Sequence, residues 1–114
     1  MNDIITLPNT LKRSTWIEIK VDFMAICPVP DKPYSGTLFV EYIPKDTILE
    51  WDSFSDWVKG LYQKEMTAEQ AVDFITTRLE NLLCPIELRV ELDVDSAFHV
   101  PVKIVQFLAM KEEE

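Results

Sequence analysis

Three stretches of this chain alternate apolar and polar residues at a period of two, a fourth is rich in β-branched and aromatic residues, and a helical period interrupts them in the middle. In "TWIEIKVDFMA" (15–25), Ile17, Ile19, Val21 and Phe23 fall on one face and Glu18, Lys20 and Asp22 on the other, the pattern of a half-buried strand. "TLFVEYI" (37–43) is rich in β-branched and aromatic residues and reads as a second strand. From residue 50 the period changes: Phe54, Trp57, Val58, Leu61 and Tyr62 form one helical stripe. A second helix starts at Thr67, where "TAEQ" is a capping box; Val72, Ile75, Leu79 and Leu82 form its buried stripe, and Cys84-Pro85 ends it. "IELRVELDV" (86–94) then alternates throughout, with Ile86, Leu88, Val90, Leu92 and Val94 inward. "HVPVKIVQF" (99–107) is the last strand, and Pro101 assigns it to an edge or a bulge. The order ββααββ predicts an α+β domain, a four-stranded antiparallel sheet with two helices on one face. Two sheet edges are left to be covered or paired, and assembly into a multi-subunit barrel would do this.

With 114 residues, 47% apolar, the chain suits one domain, 1–114, with residues 1–14 as an N-terminal arm and 109–114 as an acidic tail. No apolar run approaches a membrane span, and the N-terminus lacks a signal-peptide pattern. Two cysteines, Cys27 and Cys84, read as reduced thiols, so a cytoplasmic location is expected. One histidine and two lone cysteines offer no zinc spacing, and no metal site is expected. Twenty acidic against 11 basic residues leave a net charge of −9, which disfavours nucleic acid, tRNA included, and makes a small molecule the better partner.

Two residues stand out chemically. Cys27 opens "CPVPDKPYSG", whose Pro28, Pro30, Pro33 and Gly36 predict a shaped loop rather than a tight hairpin turn. It is either a buried filler at a strand end or a nucleophile presented to an electrophilic carbon such as a nitrile or carbonyl. No histidine is near it in sequence; His99, in an alternating strand, reads as structural. Glu69 lies in the first turn of the second helix, where the helix dipole favours a carboxylate. Such a group either serves the helix start or accepts two parallel hydrogen bonds from a guanine-like edge. Glu50, Asp52, Asp56 and Glu65 read as a solvated face, and Cys84 as a small buried helix terminator. Trp16, Trp51 and Trp57 read as core or subunit-contact residues, with an exposed indole able to stack on a flat ligand.

Taken together, these positions resemble the 7-cyano-7-deazaguanine reductase family (QueF) and its QueF-like relatives in the tunnel-fold superfamily. The resemblance covers about Ile17 to Val105. "CPVPDKPYSGTLFVEYIP" is similar to a family segment that begins Cys-Pro and reaches Tyr-Ile-Pro fifteen to seventeen residues on, here Tyr42-Ile43-Pro44. Glu50 lies 23 residues after Cys27, where the family's NADPH motif begins, and Glu69 lies 42 after it, where the family anchors its substrate. The resemblance implies a tunnel fold, subunits assembled into rings with sites between neighbours, and Cys27 as the nucleophile that adds to the nitrile carbon to form a thioimide. It makes Glu69 and Glu50 the substrate-binding candidates.

The departures shape the expected function. Seven residues after Cys27, where the family has a proton-donating Asp, stands Tyr34; Asp31 is four residues on, so Asp31 and Tyr34 are the candidate proton donors. Ala68 replaces the usual His before Glu69. The NADPH motif reads Glu50-Trp51-Asp52-Ser53-Phe54-Ser55, without its two lysines, which argues against NADPH and for no cofactor. The expectation is a 7-deazaguanine-processing enzyme that captures the nitrile of 7-cyano-7-deazaguanine on Cys27 and completes turnover with a small nucleophile, as the archaeosine-forming amidinotransferase relatives do. The alternatives are an NADPH-dependent reductase of queuosine synthesis and a non-catalytic subunit that binds deazaguanine or purine.

Overall fold

A computed structural model describes residues 3–29, 31–95 and 100–109. The four expected strands become β2 (Ile17–Cys27), β3 (Lys32–Ile43), β5 (Glu87–Val94) and β6 (Val102–Ala109), in one antiparallel sheet of order β2-β3-β5-β6. Two short strands join them, β1 (Thr6–Pro8) and β4 (Thr47–Leu49), paired antiparallel as a separate ribbon. Helices α1 (Trp51–Lys59) and α2 (Ala68–Leu83) pack on one face of the sheet. The chain is thus α+β in the expected order, with the ribbon added.

The period-two pattern decides which face the helices cover. Leu38 and Val40 of β3 and Leu88, Val90 and Leu92 of β5 are wholly buried beneath Phe54, Val58, Val72, Ile75 and Leu79 of the helices. Burying each such aliphatic side chain contributes roughly 1.5–3 kcal/mol, an upper figure because denatured chains are partly collapsed. Tyr42, also wholly buried, turns its hydroxyl oxygen to accept the Leu49 N–H at 2.9 Å, which ties the ribbon to the sheet. The helix-free face carries charged groups, one of which, Asp93, has its Oδ1 buried without a hydrogen-bond partner among the described residues. Its Glu91, only 7% exposed, is bound by Arg89 and lies 3.9 Å from Lys103 Nζ.

Helix α2 begins as the sequence predicts: the Thr67 hydroxyl accepts from Gln70 N–H, and the Gln70 side chain accepts from Thr67 N–H. It ends at Cys84, which takes the left-handed conformation (φ 42°, ψ 54°) that stops a helix. Cys84 is exposed, not buried as expected, because a left-handed cap swings the chain off the helix axis into solvent. Ile86 is likewise exposed: the chain is still turning there, and β5 starts one residue later.

The loop expected after Cys27 is shorter than its prolines imply. Cys27 pairs with Lys32, so β2 and β3 form a hairpin closed by residues 28–31, with Asp31 at a positive φ of 67°. Pro33 is tolerated inside β3 because the β3–β5 ladder begins only at Gly36, where backbone N–H groups are first required on that side. Among the described residues β2 and β6 have a sheet neighbour on one side only. His99, Pro30 and residues 110–114 of the expected tail lie outside the described residues.

Candidate active site

The last residue of β2, the inner face of β3 and the start of α2 converge on one cavity of about 310 Å³. Cys27, Tyr34 and Glu69 line it, with Thr67 and Ala68 between them and Val94, Val100 and Val102 as an apolar wall. Cys27 is half-buried, and its Sγ–H donates to the Val29 carbonyl oxygen at 2.8 Å, so the turn itself orients the thiol. Glu69, exposed and in the first turn of α2, turns toward the same space. A thiol and a carboxylate lining one largely apolar cleft suit a flat polar ring whose reactive carbon meets sulfur.

Tyr34 is 3% exposed, tilted against the Phe23 ring at a centroid distance of 6.2 Å. Its O–H donates to the Met66 carbonyl at 2.9 Å. Burial first, then the negative charge available at Cys27 and Glu69, pushes its phenol well above the ordinary range.

The other two expected site residues stand apart. Asp31 is exposed in the hairpin turn and is not among the residues lining the cavity. Glu50 caps α1, accepting from Asp52 N–H at 2.8 Å and Ser53 N–H at 2.9 Å. These bonds hold its carboxyl below the ordinary 4.5. A depressed folded value stabilises the fold above the unfolded value, and the benefit is lost as pH falls through the folded value. Glu50→Ala therefore lowers Tm at neutral pH, and the gap to wild type closes as pH falls below the ordinary carboxylate value. Thermal melts across that range check this; a gap of constant size would refute the capping role.

Residues that sequence reasoning missed are Thr67, Val94, Val100 and Val102. Val94 carries a signal, as the last inward residue of an alternating strand; the others acquire their place only from the packing of α2 against the end of β5 and β6.

A second groove, about 390 Å³, runs between β2 and α1 and is lined by Lys20, Trp51, Asp52 and Ser55 among others. Trp51 is 69% exposed there, whereas Trp57 is in the core. Lys20 reaches over the Phe39 ring, 5.9 Å from its centroid. Among the described residues no group of three or more His, Cys, Asp and Glu side chains converges as a metal site would.

Sheet order and helix placement define a tunnel-fold domain, with Cys27 and Glu69 lining one cleft. No family model matches the chain. It is 30% identical over 91 residues to the NADPH-dependent 7-cyano-7-deazaguanine reductase of Helicobacter pylori (strain G27), covering 80% of this chain and 62% of that protein. The enzyme of the same name from Sulfurimonas denitrificans is 25% identical over 92 residues, covering 80% of this chain and 74% of that protein. The fold matches the apo crystal structure of the archaeosine synthase QueF-Like with a TM-score of 0.77 at 21% identity, over 84% of this chain and 95% of that one. The named relatives and the fold together support the QueF and QueF-like family for this chain. The chain spans 62% of the length of the Helicobacter relative.

The expectation of no cofactor is corrected by these relatives, whose names specify NADPH. That expectation rested on missing lysines within residues 50–55; Lys20 of β2 lines the same groove as Trp51 and Asp52, together with Glu18. No helix among the described residues is long and apolar enough to cross a membrane.

Proposed function

We propose that this chain captures the nitrile of 7-cyano-7-deazaguanine as a covalent thioimide on Cys27. The observation that carries the reading is the single cavity shared by the Cys27 thiol and the Glu69 carboxylate. Glu69 accepts two parallel N–H bonds from the guanine-like edge of the base, which directs the substituent on the five-membered ring toward sulfur. The Cys27 sulfur then bonds the nitrile carbon, one C≡N π bond breaks, and the thiol proton ends on nitrogen. The addition is balanced without a separate acid. Val94 and Val102 offer the ring faces an apolar wall in a cavity of about 310 Å³, large enough for a bicyclic base.

NADPH, the cofactor in the relatives' names, supplies hydride when bound. The groove beside α1 offers it Trp51 as a flat stacking surface, but the charged side chains along that groove are Glu18, Lys20 and Asp52, a set that does not by itself complement a phosphorylated dinucleotide. The one-sided edges of β2 and β6, with Val105 and Phe107 exposed on β6, suit copies of the chain joining edge to edge into a barrel.

Intact-mass spectrometry after incubation with 7-cyano-7-deazaguanine and a denaturing quench tests the reading. Wild type gains the mass of the whole nitrile and Cys27→Ala gains nothing. Chasing the adduct with NADPH or with ammonia reports which reagent completes turnover. Folded, reduced wild type that gains no mass would sink nitrile capture and leave a binding subunit.

A further inference from the structure

We infer that Tyr34 is a positioning residue, which fixes the start of α2, and with it Glu69, relative to Cys27. The observation is a chain of hydrogen bonds that runs from the sheet to the helix outside either partner's own ladder. β2 is an edge strand, so the backbone groups of Ile26 that point away from β3 have no strand to meet. Residues 64–66 meet them instead: Ile26 N–H donates to the Lys64 carbonyl at 3.0 Å, and Met66 N–H donates to the Ile26 carbonyl at 2.9 Å. Ile26 and Glu65 form a parallel bridge there. This short strip is the segment that delivers the chain to Thr67, the N-cap of α2.

Two backbone bonds at one residue make a hinge rather than a clamp, because the strip can still swing about Ile26. The Tyr34 phenol supplies the third point. It sits on β3 opposite Ala25, and the small Ala25 side chain leaves room for the phenol to cross β2 and give its proton to the Met66 carbonyl at 2.9 Å. Met66 is therefore held from both sides, its N–H by β2 and its C=O by β3. Cys27 follows Ile26 directly, and Glu69 lies three residues beyond Met66. The two ends of the reaction geometry thus hang from neighbouring points of one braced strip. Burial and the flanking Cys27 and Glu69 keep the phenol protonated, which preserves its donor role. A tyrosine that gives its one proton to a backbone carbonyl serves as a brace, and mispositioning by about 1 Å can cost a reaction 100-fold.

The consequence for catalysis rests on the proposed thioimide chemistry; the brace itself does not. Tyr34→Phe keeps the ring in its buried seat and removes only the hydroxyl. Two measurements follow. Amide hydrogen exchange, read by NMR, needs no substrate: the Met66 and Gln70 amides of the variant exchange about tenfold faster or more, while Val90 in β5 is unchanged. Adduct formation is read as rate against nitrile concentration: the half-saturating concentration rises about tenfold, and alkylation of Cys27 by iodoacetamide stays within about twofold of wild type. Unchanged protection at Met66 and Gln70 would overturn the inference. So would a variant whose maximal adduct rate falls and shifts in pH profile while half-saturation stays put, since that describes a proton donor. Wild-type protein that forms no adduct would sink the thioimide reading alone, and the exchange experiment would still decide the brace.

Discussion

Gly36→Ala abolishes the folded state or lowers Tm by about 15 °C or more, the largest stability loss expected from any single methyl in this chain. Gly36 opens the β3–β5 ladder opposite Val94. A Cβ built on it would lie 1.9 Å from the Asp93 carbonyl oxygen, 2.8 Å from the Asp93 carbonyl carbon and 2.9 Å from Val94 Cα. All three are backbone atoms, so no rotamer change relieves the clash. The remaining response is for β3 and β5, the two central strands, to part at that end. Overpacking of flexible cores costs about 1–3 kcal/mol, and a rigid backbone site costs more, against a net stability of roughly 5–15 kcal/mol. The same end of β5 carries Val94, a wall of the cavity, so a variant that survives should also lose ligand binding. A thermal melt by circular dichroism decides the matter. A Tm within a few degrees of wild type would mean that the two strands are not so closely apposed.

On the proposed reading, Glu69→Gln weakens binding of 7-cyano-7-deazaguanine about 100-fold or more. The carboxylate offers two acceptors to two donors of the base; the amide replaces one acceptor with a donor and sets N–H against N–H. Losing one charge-assisted bond and burying a mismatched donor costs about 3 kcal/mol or more together. The measurement is calorimetric titration in a Cys27→Ala background, where no covalent step distorts the isotherm. The capping box at Thr67 and Gln70 does not involve Glu69, so the variant should melt like its parent. A loss under about fivefold would remove Glu69 as the anchor and return it to ordinary helix-start chemistry.

The parts of this fold that are legible in the sequence are those where one local rule dominates. Period-two runs with one apolar face can be buried only as strands, and the order of those runs around a helical stripe leaves one layered arrangement. "TAEQ" announces its helix start because the reciprocal hydrogen bonds of a capping box lie within four residues. Strands of three residues, Thr6–Pro8 and Thr47–Leu49, give no period to detect, and they exist because each finds the other across the fold. The prolines after Cys27 suggest a long loop, but pairing with β2 carries β3 back to Lys32, since Pro33 falls where β5 makes no demand.

The sequence by itself determined the α+β order, the buried face of β2 and of β5, the start of α2 and the spacing at which Cys27 and Glu69 stand. These follow from hydrophobic periodicity and short-range hydrogen bonding, which act over a few residues, and from a family resemblance in the motif. Only the tertiary structure decided that Cys27 and Glu69 share a cavity while Glu50 serves its own helix, that Lys20 and Trp51 line one groove, and that Tyr34 reaches Met66 across β2. Each of these joins residues far apart in the chain, and such contacts are set by which sheet edge meets which helix end.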